Sequence, residues 1–360
     1  MIIDRYELTQ KLKQLKGLTP PKTTMAITGV LVGFGKIIAT NIEATVSAEI
    51  NLIPEQPFVL PTSAIEMLEK LSCSEVDITV KNNKVKIKHA NGTSSFSTID
   101  YSEFPNLIEN ISLQDCESSI ACNGSEFAEY ISRVTHISEN INGNLIASSV
   151  CITGLKAGPV EFATCDGRAC AYIQGLKAPE PFKAIVQTAT VKKVVSLING
   201  NSSAEFGFYL PDGKHAVFKS GDYTIYTNLV AANFIDYKKA FPKEPKATFS
   251  VSKTDLIKSL ERAVICSDAL SPTVLSAERN ELKISVHSST SAFSETTTLL
   301  DDIGETDVKL GVNAKLLTTL LKASDEEEIR LTYSSAVQPL VIDDGLLHQI
   351  IMPVRLTEGA

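Results

Sequence analysis

The sequence contains no long hydrophobic run. No window of its 360 residues reaches the roughly 18 consecutive apolar residues that a membrane-spanning helix requires. Residues 1–7 (MIIDRYE) already contain charged side chains, and the apolar segment of a secretory signal peptide does not follow them. These two absences predict a cytoplasmic protein that has no membrane partner.

Paired cysteine motifs are also absent. The seven cysteines are scattered, none forms a Cys-x-x-Cys pair, and no histidine lies near Cys165 and Cys170, which are five positions apart. An odd and scattered set argues against both a disulfide framework and a zinc site. We therefore expect small, reduced cysteines in the core or on the surface.

No catalytic motif is present either. The stretch 29–36 resembles a phosphate-binding loop, but Val30 holds the first-glycine position and Ile37 replaces the required serine or threonine. The five histidines are dispersed along the chain. An enzyme with Cys165 as nucleophile stays open as the contrasting hypothesis, although no neighbour in sequence would activate its thiol.

The sequence does contain a pattern that recurs three times. Each copy is a short amphipathic helix followed by three strands that are joined by polar or glycine-containing turns. These helices are expected near residues 61–71, 190–198 and 313–321. A second helical pattern stands at the head of each third, at residues 5–16, 125–137 and 252–265.

Such long periods indicate tandem domains rather than a solenoid of short repeats. We predict an α+β fold with three domains at 1–117, 118–246 and 247–360. Ser125 and Ser252 stand where the N-caps of two helices belong.

Five ordered motifs carry a family resemblance: residues 100–107 (DYSEFPNL), 163–168 (ATCDGR), 233–242 (NFIDYKKAFP), 311–317 (GVNAKLL) and 352–356 (MPVRL). Together they resemble the bacterial DNA sliding clamps, the beta subunit of DNA polymerase III. The resemblance implies three tandem clamp domains, each with two helices and antiparallel sheets, and two protomers joined head to tail into a ring. It also implies a processivity factor that encircles duplex DNA, slides without sequence specificity, and tethers the replicative polymerase. A clamp loader and other clamp-binding proteins are further implied partners, and no cofactor, metal or catalytic site is expected.

The resemblance also implies a hydrophobic pocket, between the second and third domains, that receives short peptides from partner proteins. Its matching residues are Thr164, Gly167, Arg168, Ala169, Ile235, Lys239, Ala240, Val337, Pro339, Ile350, Met352, Pro353, Val354, Arg355 and Leu356. From the residues alone, the C-terminal run predicts a closing edge strand that stops near Pro353. A hook that leaves the sheet to line a groove is the sharper alternative. Departures from the family pattern at Ala169, Ile235, Lys238 and Lys239, and the extra residues 357–360, predict an altered peptide preference.

Positive charge is concentrated in the predicted helices. These six segments carry a net charge of +5, against −13 for the rest of the chain. In a ring, this distribution would attract DNA phosphates to the hole. The candidate contacts are Lys11, Lys13, Lys16, Arg133, Lys192, Lys193, Lys253, Lys258, Arg262, Lys315 and Lys322. Any one of these residues could equally be an ordinary surface cation.

For the joint between protomers, the resemblance points to Phe104 in the first domain. It would meet Ile265 and Cys266 in the third domain of the partner. An ordinary core position is the alternative for Phe104.

Overall fold

The computed structural model describes residues 1–15, 29–41, 43–105, 113, 116–138, 143–200, 204–268 and 271–356. Lys16 and the extension 357–360 therefore lie outside the described residues. The chain divides into two compact units, Met1–Ala128 with Lys192–Leu229, and Glu129–Val191 with Val230–Ala360.

The first unit contains two antiparallel sheets. The seven-stranded sheet has the spatial order β13 (Phe206–Tyr209), β14 (His215–Ser220), β15 (Tyr223–Asn228), β4 (Ala44–Glu49), β3 (Lys36–Thr40), β2 (Gly29–Gly33) and β5 (Phe58–Pro61). The four-stranded sheet has the order β1 (Ile2–Asp4), β6 (Glu75–Lys81), β7 (Lys84–His89) and β8 (Gly92–Ser97). In β7 the inward residues Val85 and Ile87 are buried while the lysines between them are exposed, which is the two-residue period of a half-buried strand.

The second unit also contains two antiparallel sheets. The eight-stranded sheet has the order β12 (Phe182–Gln187), β9 (Ser149–Gly154), β10 (Pro159–Cys165), β11 (Ala169–Lys177), β23 (Leu347–Ile351), β22 (Leu340–Asp343), β21 (Glu328–Tyr333) and β16 (Ala247–Ser252). The four-stranded sheet has the order β19 (Ala292–Thr298), β18 (Glu281–His287), β17 (Thr273–Glu278) and β20 (Val308–Val312).

The predicted helices are confirmed at all six positions. They are α1 (Arg5–Leu15), α2 (Thr62–Lys70), α3 (Gly124–Ser132), α4 (Thr188–Gly200), α5 (Lys253–Cys266) and α6 (Ala314–Lys322). Each buries an apolar stripe, such as Leu8, Leu12 and Leu15 of α1. None of the described helices is long and apolar enough to cross a membrane.

One of the two predicted helix caps is wrong. Ser252 caps α5, since its hydroxyl accepts a hydrogen bond from the amide of Asp255. At α3, however, the cap is Asn123 rather than Ser125. The Asn123 side chain accepts from the Glu126 amide at 2.9 Å, and Glu126 accepts from the Asn123 amide at 2.9 Å. This reciprocal pair satisfies two amides at once, which one serine hydroxyl further along the chain could not do.

The boundaries of the three predicted domains, at 117/118 and 246/247, stay a prediction. Both large sheets continue across them: β15 pairs with β4 in the first unit, and β11 pairs with β23 in the second. The middle predicted domain therefore contributes strands to both units, and the two compact units do not coincide with the three predicted segments.

The expectation of reduced cysteines is wrong at one pair. Cys165 and Cys170 form a disulfide. They face each other directly in the β10–β11 hairpin, because the turn between them brings the last residue of β10 opposite the second residue of β11. Cys73, Cys116, Cys122, Cys151 and Cys266 are not disulfide-bonded.

Candidate functional site

The candidate site lies on one face of the eight-stranded sheet, at β10, β11 and β23. Tyr172 and Cys170 on β11 are directly opposite His348 and Ile350 on β23. The Tyr172 and His348 rings stack with their centroids 4.8 Å apart. This juxtaposition joins a strand from the middle of the chain to the last strand of the protein.

The segment that follows β15 and precedes β16 covers part of this face. Phe234 and Tyr237 are buried in a cluster with Cys165, Cys170 and Ile350. A short 3-10 helix, Tyr237–Ala240, places the Tyr237 ring 5.7 Å from the Tyr172 ring. We call residues 234–241 the linker turn. Apolar and aromatic contacts thus seat the linker turn on the sheet.

A single buried carboxylate binds the linker turn to β10. Glu161 accepts hydrogen bonds from the Tyr237 hydroxyl and from Gln174 Nε2, the latter at 2.6 Å, and forms an ion pair with Lys238 Nζ at 2.7 Å. Burial by itself raises the pKa of Glu161, but the hydrogen bonds from Lys238, Tyr237 and Gln174 outweigh it and hold the pKa below its usual value. Glu161 is therefore ionised at neutral pH.

The turn between β10 and β11 forms one wall of the predicted pocket. Asp166 organises it, because its carboxylate accepts from the Arg168 and Ala169 amides at 2.8 Å each and also pairs with the Arg168 guanidinium. Gly167 adopts a φ of +85°, a conformation that strongly favours glycine. The Arg168 carbonyl accepts from the Met352 amide at 2.8 Å, which ties this wall to the C-terminal tail.

Residues 352–356, here called the tail, leave the eight-stranded sheet. β23 ends at Ile351, and the Val354 amide then donates to the Gly311 carbonyl of β20 at 2.8 Å. The tail therefore crosses from the large sheet to the free edge of the small one. The expected closing edge strand is wrong, because β23 lies between β11 and β22, and the hook's role in lining a groove stays a prediction. Val354 also borders an open cavity of about 320 Å³ between the end of α5 and the start of α6.

The predicted pocket residues fall into three groups. Ile235, Val337, Met352 and Val354 present apolar side chains to solvent, with exposures between 37% and 76%. The cations Arg168, Lys239 and Arg355 are also exposed. Support comes from residues that are buried or half-buried, namely Thr164, Ala169, Ala240, Pro339, Ile350, Pro353 and Leu356.

Thr164 is fully buried and its hydroxyl donates to the Val134 carbonyl at 2.6 Å, so its side chain supports the wall from behind. The assignment of the whole set as a peptide pocket stays a prediction.

The residues predicted to contact DNA differ in their exposure and in their ion pairs. Lys13, Lys192, Lys258 and Lys315 are exposed and Lys193 is half-buried. Lys11, Arg262 and Lys322 form ion pairs with Asp222, Glu295 and Glu261, and Lys253 donates to the Ser324 carbonyl at 3.0 Å.

Arg133 differs from the other predicted DNA contacts because it is largely buried. Its side chain is 11% exposed and pairs with the buried Asp344 at 2.5 Å and with Asp325 at 3.4 Å. This guanidinium satisfies a buried carboxylate, and the assignment of Arg133 as a DNA contact stays a prediction.

The three residues predicted for the joint between protomers also differ in their exposure. Ile265 at the end of α5 is 83% exposed and Cys266 is half-buried. Phe104 is only 5% exposed and packs against Leu31 and Val59. Its place in the joint stays a prediction, and its observed environment is that of a core residue.

Within the part of the chain that the structure describes, the site shows no metal-ligand cluster, and Cys165 is not a free thiol. The described residues contain no group of three or more metal-ligating side chains. Cys165 is 3% exposed and disulfide-bonded, so it offers no free thiolate for catalysis.

Comparison with known proteins gives one consistent result. The family model described as "DNA polymerase III beta subunit, C-terminal domain" matches residues 238–355. The beta sliding clamp of Salmonella typhimurium is 22% identical over 376 aligned residues, which cover 98% of this chain and 99% of that protein. The corresponding protein of Helicobacter pylori is 24% identical, with 81% and 80% covered. The crystal structure of the DNA polymerase III subunit beta from Pseudomonas aeruginosa matches with a TM-score of 0.88 at 19% identity and covers 99% of this chain and 100% of that one. Over almost its full length the chain is thus similar in sequence to bacterial beta sliding clamps and shares the fold of a DNA polymerase III beta subunit.

The matched family segment includes much of the candidate site. It begins at Lys238 in the linker turn, ends at Arg355 in the tail, and includes β22 and β23. The site residues that sequence reasoning missed are Glu161, Tyr172 and His348. A signal for Glu161 was present, since it is a lone charge in the otherwise apolar strand 159–165 (PVEFATC).

Proposed function

We propose that this protein is a DNA sliding clamp: a processivity factor that encircles duplex DNA as a head-to-tail homodimer and tethers the replicative polymerase. The observation that carries the proposal is the agreement in fold with a DNA polymerase III beta subunit over almost the full length of both chains. On this proposal the protein has no catalytic site of its own and acts in the cytoplasm, where a clamp loader places it on DNA.

The free sheet edges support ring formation. In the first unit β8 is an edge strand of a four-stranded sheet, and in the second unit β19 is an edge strand of another. Both strands are largely exposed and rich in serine and threonine. An exposed edge readily pairs with a strand of a second chain. Because the two edges belong to different units, pairing β8 with the partner's β19 would be head to tail, and two such joints would close a ring.

The charge distribution supports DNA binding without sequence readout. Within their observed bounds the six helices carry a net charge of +4, while the whole chain carries −8. Lysines that contact phosphates contribute affinity but no base specificity, so a ring lined by them can slide. Lys13, Lys192, Lys258 and Lys315 are the exposed candidates for these contacts.

The exposed apolar side chains around the linker turn and the tail support partner binding. Ile235, Val337, Met352 and Val354 offer aliphatic surface of the kind that buries a few anchor side chains of a peptide. Cations at Arg168, Lys239 and Arg355 stand beside them. We propose that short apolar motifs of the polymerase, the loader and other replication proteins bind here.

Negative-stain electron microscopy of the purified protein without DNA tests the proposal. Closed rings with a central hole wide enough for a duplex are expected, together with a solution mass of two chains. Compact particles without a hole would contradict ring formation. A matched test of sliding is retention on circular and linearised plasmid in high salt, where a topological clamp stays only on the circle.

A further inference from the structure

A buried carboxylate that pairs with an exposed lysine lies beneath the linker turn. Glu161 is 7% exposed and stands on β10, on the face that the linker turn covers. Its carboxylate binds two consecutive residues of the turn, Tyr237 through the hydroxyl and Lys238 through the ammonium group. Gln174 on the neighbouring strand donates to the same carboxylate and fixes its orientation.

Apolar packing alone does not explain a carboxylate at this position. Removing a charge from water is costly, and a well-packed hydrophobic residue at such a position is often as stable or more stable. The best-attested use of a buried polar group is to fix the register of the elements that it joins. Here the element is the linker turn, whose Tyr237 and Phe241 rings both contact the Tyr172 ring of the sheet, with centroids 5.7 and 5.3 Å apart. Such contacts tolerate sliding, whereas hydrogen bonds to one carboxylate do not.

The residues that flank the two anchors are those predicted to receive the peptide. Ile235 lies two positions before Tyr237, and Lys239 and Ala240 follow Lys238. Ile235 is 44% exposed, whereas Tyr237 is 7% exposed. The turn therefore directs Ile235 toward solvent while the Tyr237 side chain is buried against the sheet. A shift of the anchors would therefore displace one wall of the site directly.

We propose that Glu161 is a positioning residue for the partner-peptide site: it holds the linker turn in one register on β10 so that Ile235, Lys239 and Ala240 face the incoming peptide. This inference rests on the proposed peptide-binding function. Glu161 makes no contact with the peptide itself and acts through Tyr237 and Lys238.

Three variants test the proposal. Glu161→Leu removes the acceptor for both anchors and replaces it with an apolar side chain of similar size. Glu161→Gln keeps an oxygen acceptor for the Tyr237 hydroxyl and is the conservative rescue. Val160→Ala is the matched control, because Val160 is fully buried in the same strand but its side chain alternates to the other face, away from the linker turn.

Two readouts separate positioning from general stability. The first is the Kd of a fluorescein-labelled pentapeptide with two leucines and a C-terminal phenylalanine, measured by anisotropy on the full chain. The second is amide hydrogen exchange at Lys239 and Phe241, whose amides donate to carbonyls within the turn. Glu161→Leu should weaken binding about tenfold and speed exchange at both amides, while Glu161→Gln stays within about threefold of wild type. Val160→Ala should lower the melting temperature and leave both readouts unchanged.

The outcomes are distinguishable. A folded Glu161→Leu protein with wild-type Kd and exchange overturns the inference, and so does a Val160→Ala protein that weakens binding equally. Tyr237→Phe, which removes only the hydroxyl, repeats the test in milder form if the leucine variant does not fold, and an unchanged Kd there has the same meaning. A wild-type protein that binds no apolar peptide overturns the proposed pocket and the inference with it.

Discussion

A substitution at Gly311 can displace the tail without changing any residue of the tail. A Cβ atom at this position would lie 2.5 Å from the Val354 carbonyl oxygen and 2.8 Å from Leu356 Cδ2. Ordinary contacts between such atoms are about 3.5 Å, so Gly311→Ala forces the tail outward by about 1 Å. The hydrogen bond from the Val354 amide to the Gly311 carbonyl is then lost or weakened.

The expected size of the effect follows from two contributions. Loss of one backbone hydrogen bond lowers the free energy of unfolding by about 1 kcal/mol. Displacement of Met352 and Val354 removes part of the apolar surface offered to a peptide. Because a buried aliphatic anchor contributes roughly 1.5–3 kcal/mol, a partial loss of about 1.4 kcal/mol weakens peptide binding about tenfold.

The assay compares Gly311→Ala with Gly92→Ala. Gly92 is also a strand glycine, but a Cβ there would meet nothing closer than 3.7 Å. We expect Gly92→Ala to leave peptide affinity unchanged, whereas Gly311→Ala should lower both the affinity and the melting temperature. If Gly311→Ala binds the peptide as tightly as wild type, the position of the tail does not determine the site, and this reasoning is refuted.

Three further predictions concern the joint, the disulfide and pH. Ile265→Glu places a charge on an 83% exposed isoleucine and should convert the dimer to monomers in analytical ultracentrifugation, so a persistent dimer would contradict this joint. Cys165→Ser opens a six-residue loop and should lower the free energy of unfolding by about 2 kcal/mol, whereas Cys73→Ser, at a free half-buried thiol, should change it little in the same urea titration. The hydrogen bond to Asp343 raises the pKa of His348 and lowers that of Asp343. The pair therefore stabilises the fold at pH values between the unfolded-state pKa values of Asp343 and His348, and this stabilisation is lost as pH rises through the raised pKa of His348. Thermal melts of His348→Asn between pH 6 and pH 8 should lack this decline.

The repeated architecture could be predicted because burial determines it locally. Each amphipathic helix has its apolar residues three and four positions apart, as Leu8, Leu12 and Leu15 show, and half-buried strands such as β7 have a two-residue period. These patterns do not depend on which partner element covers the apolar side. The domain boundaries are different, because the edge at which β15 meets β4 is defined by residues distant in sequence.

Two observed pairings could not be predicted from the sequence pattern. Whether Arg133 faces a phosphate or Asp344 depends on a contact across 211 positions of sequence. The Cys165–Cys170 disulfide required the exact length of a turn, and a spacing of five has no meaning until Asp166 is seen to close that turn. The numbers of charged residues and cysteines can be read from the sequence, but the tertiary fold decides which of them form ion pairs or a disulfide.

The tail and the linker turn illustrate how a site can be flexible in specificity yet fixed in position. The outward side chains are aliphatic and adaptable, including a methionine, and such surfaces accommodate several related ligands. Directional bonds secure the backbone beneath them: the Met352 amide to Arg168, the Val354 amide to Gly311, and the turn to Glu161. Substitutions among the outward residues should therefore change which peptide binds best, whereas loss of a backbone anchor should weaken all peptides alike.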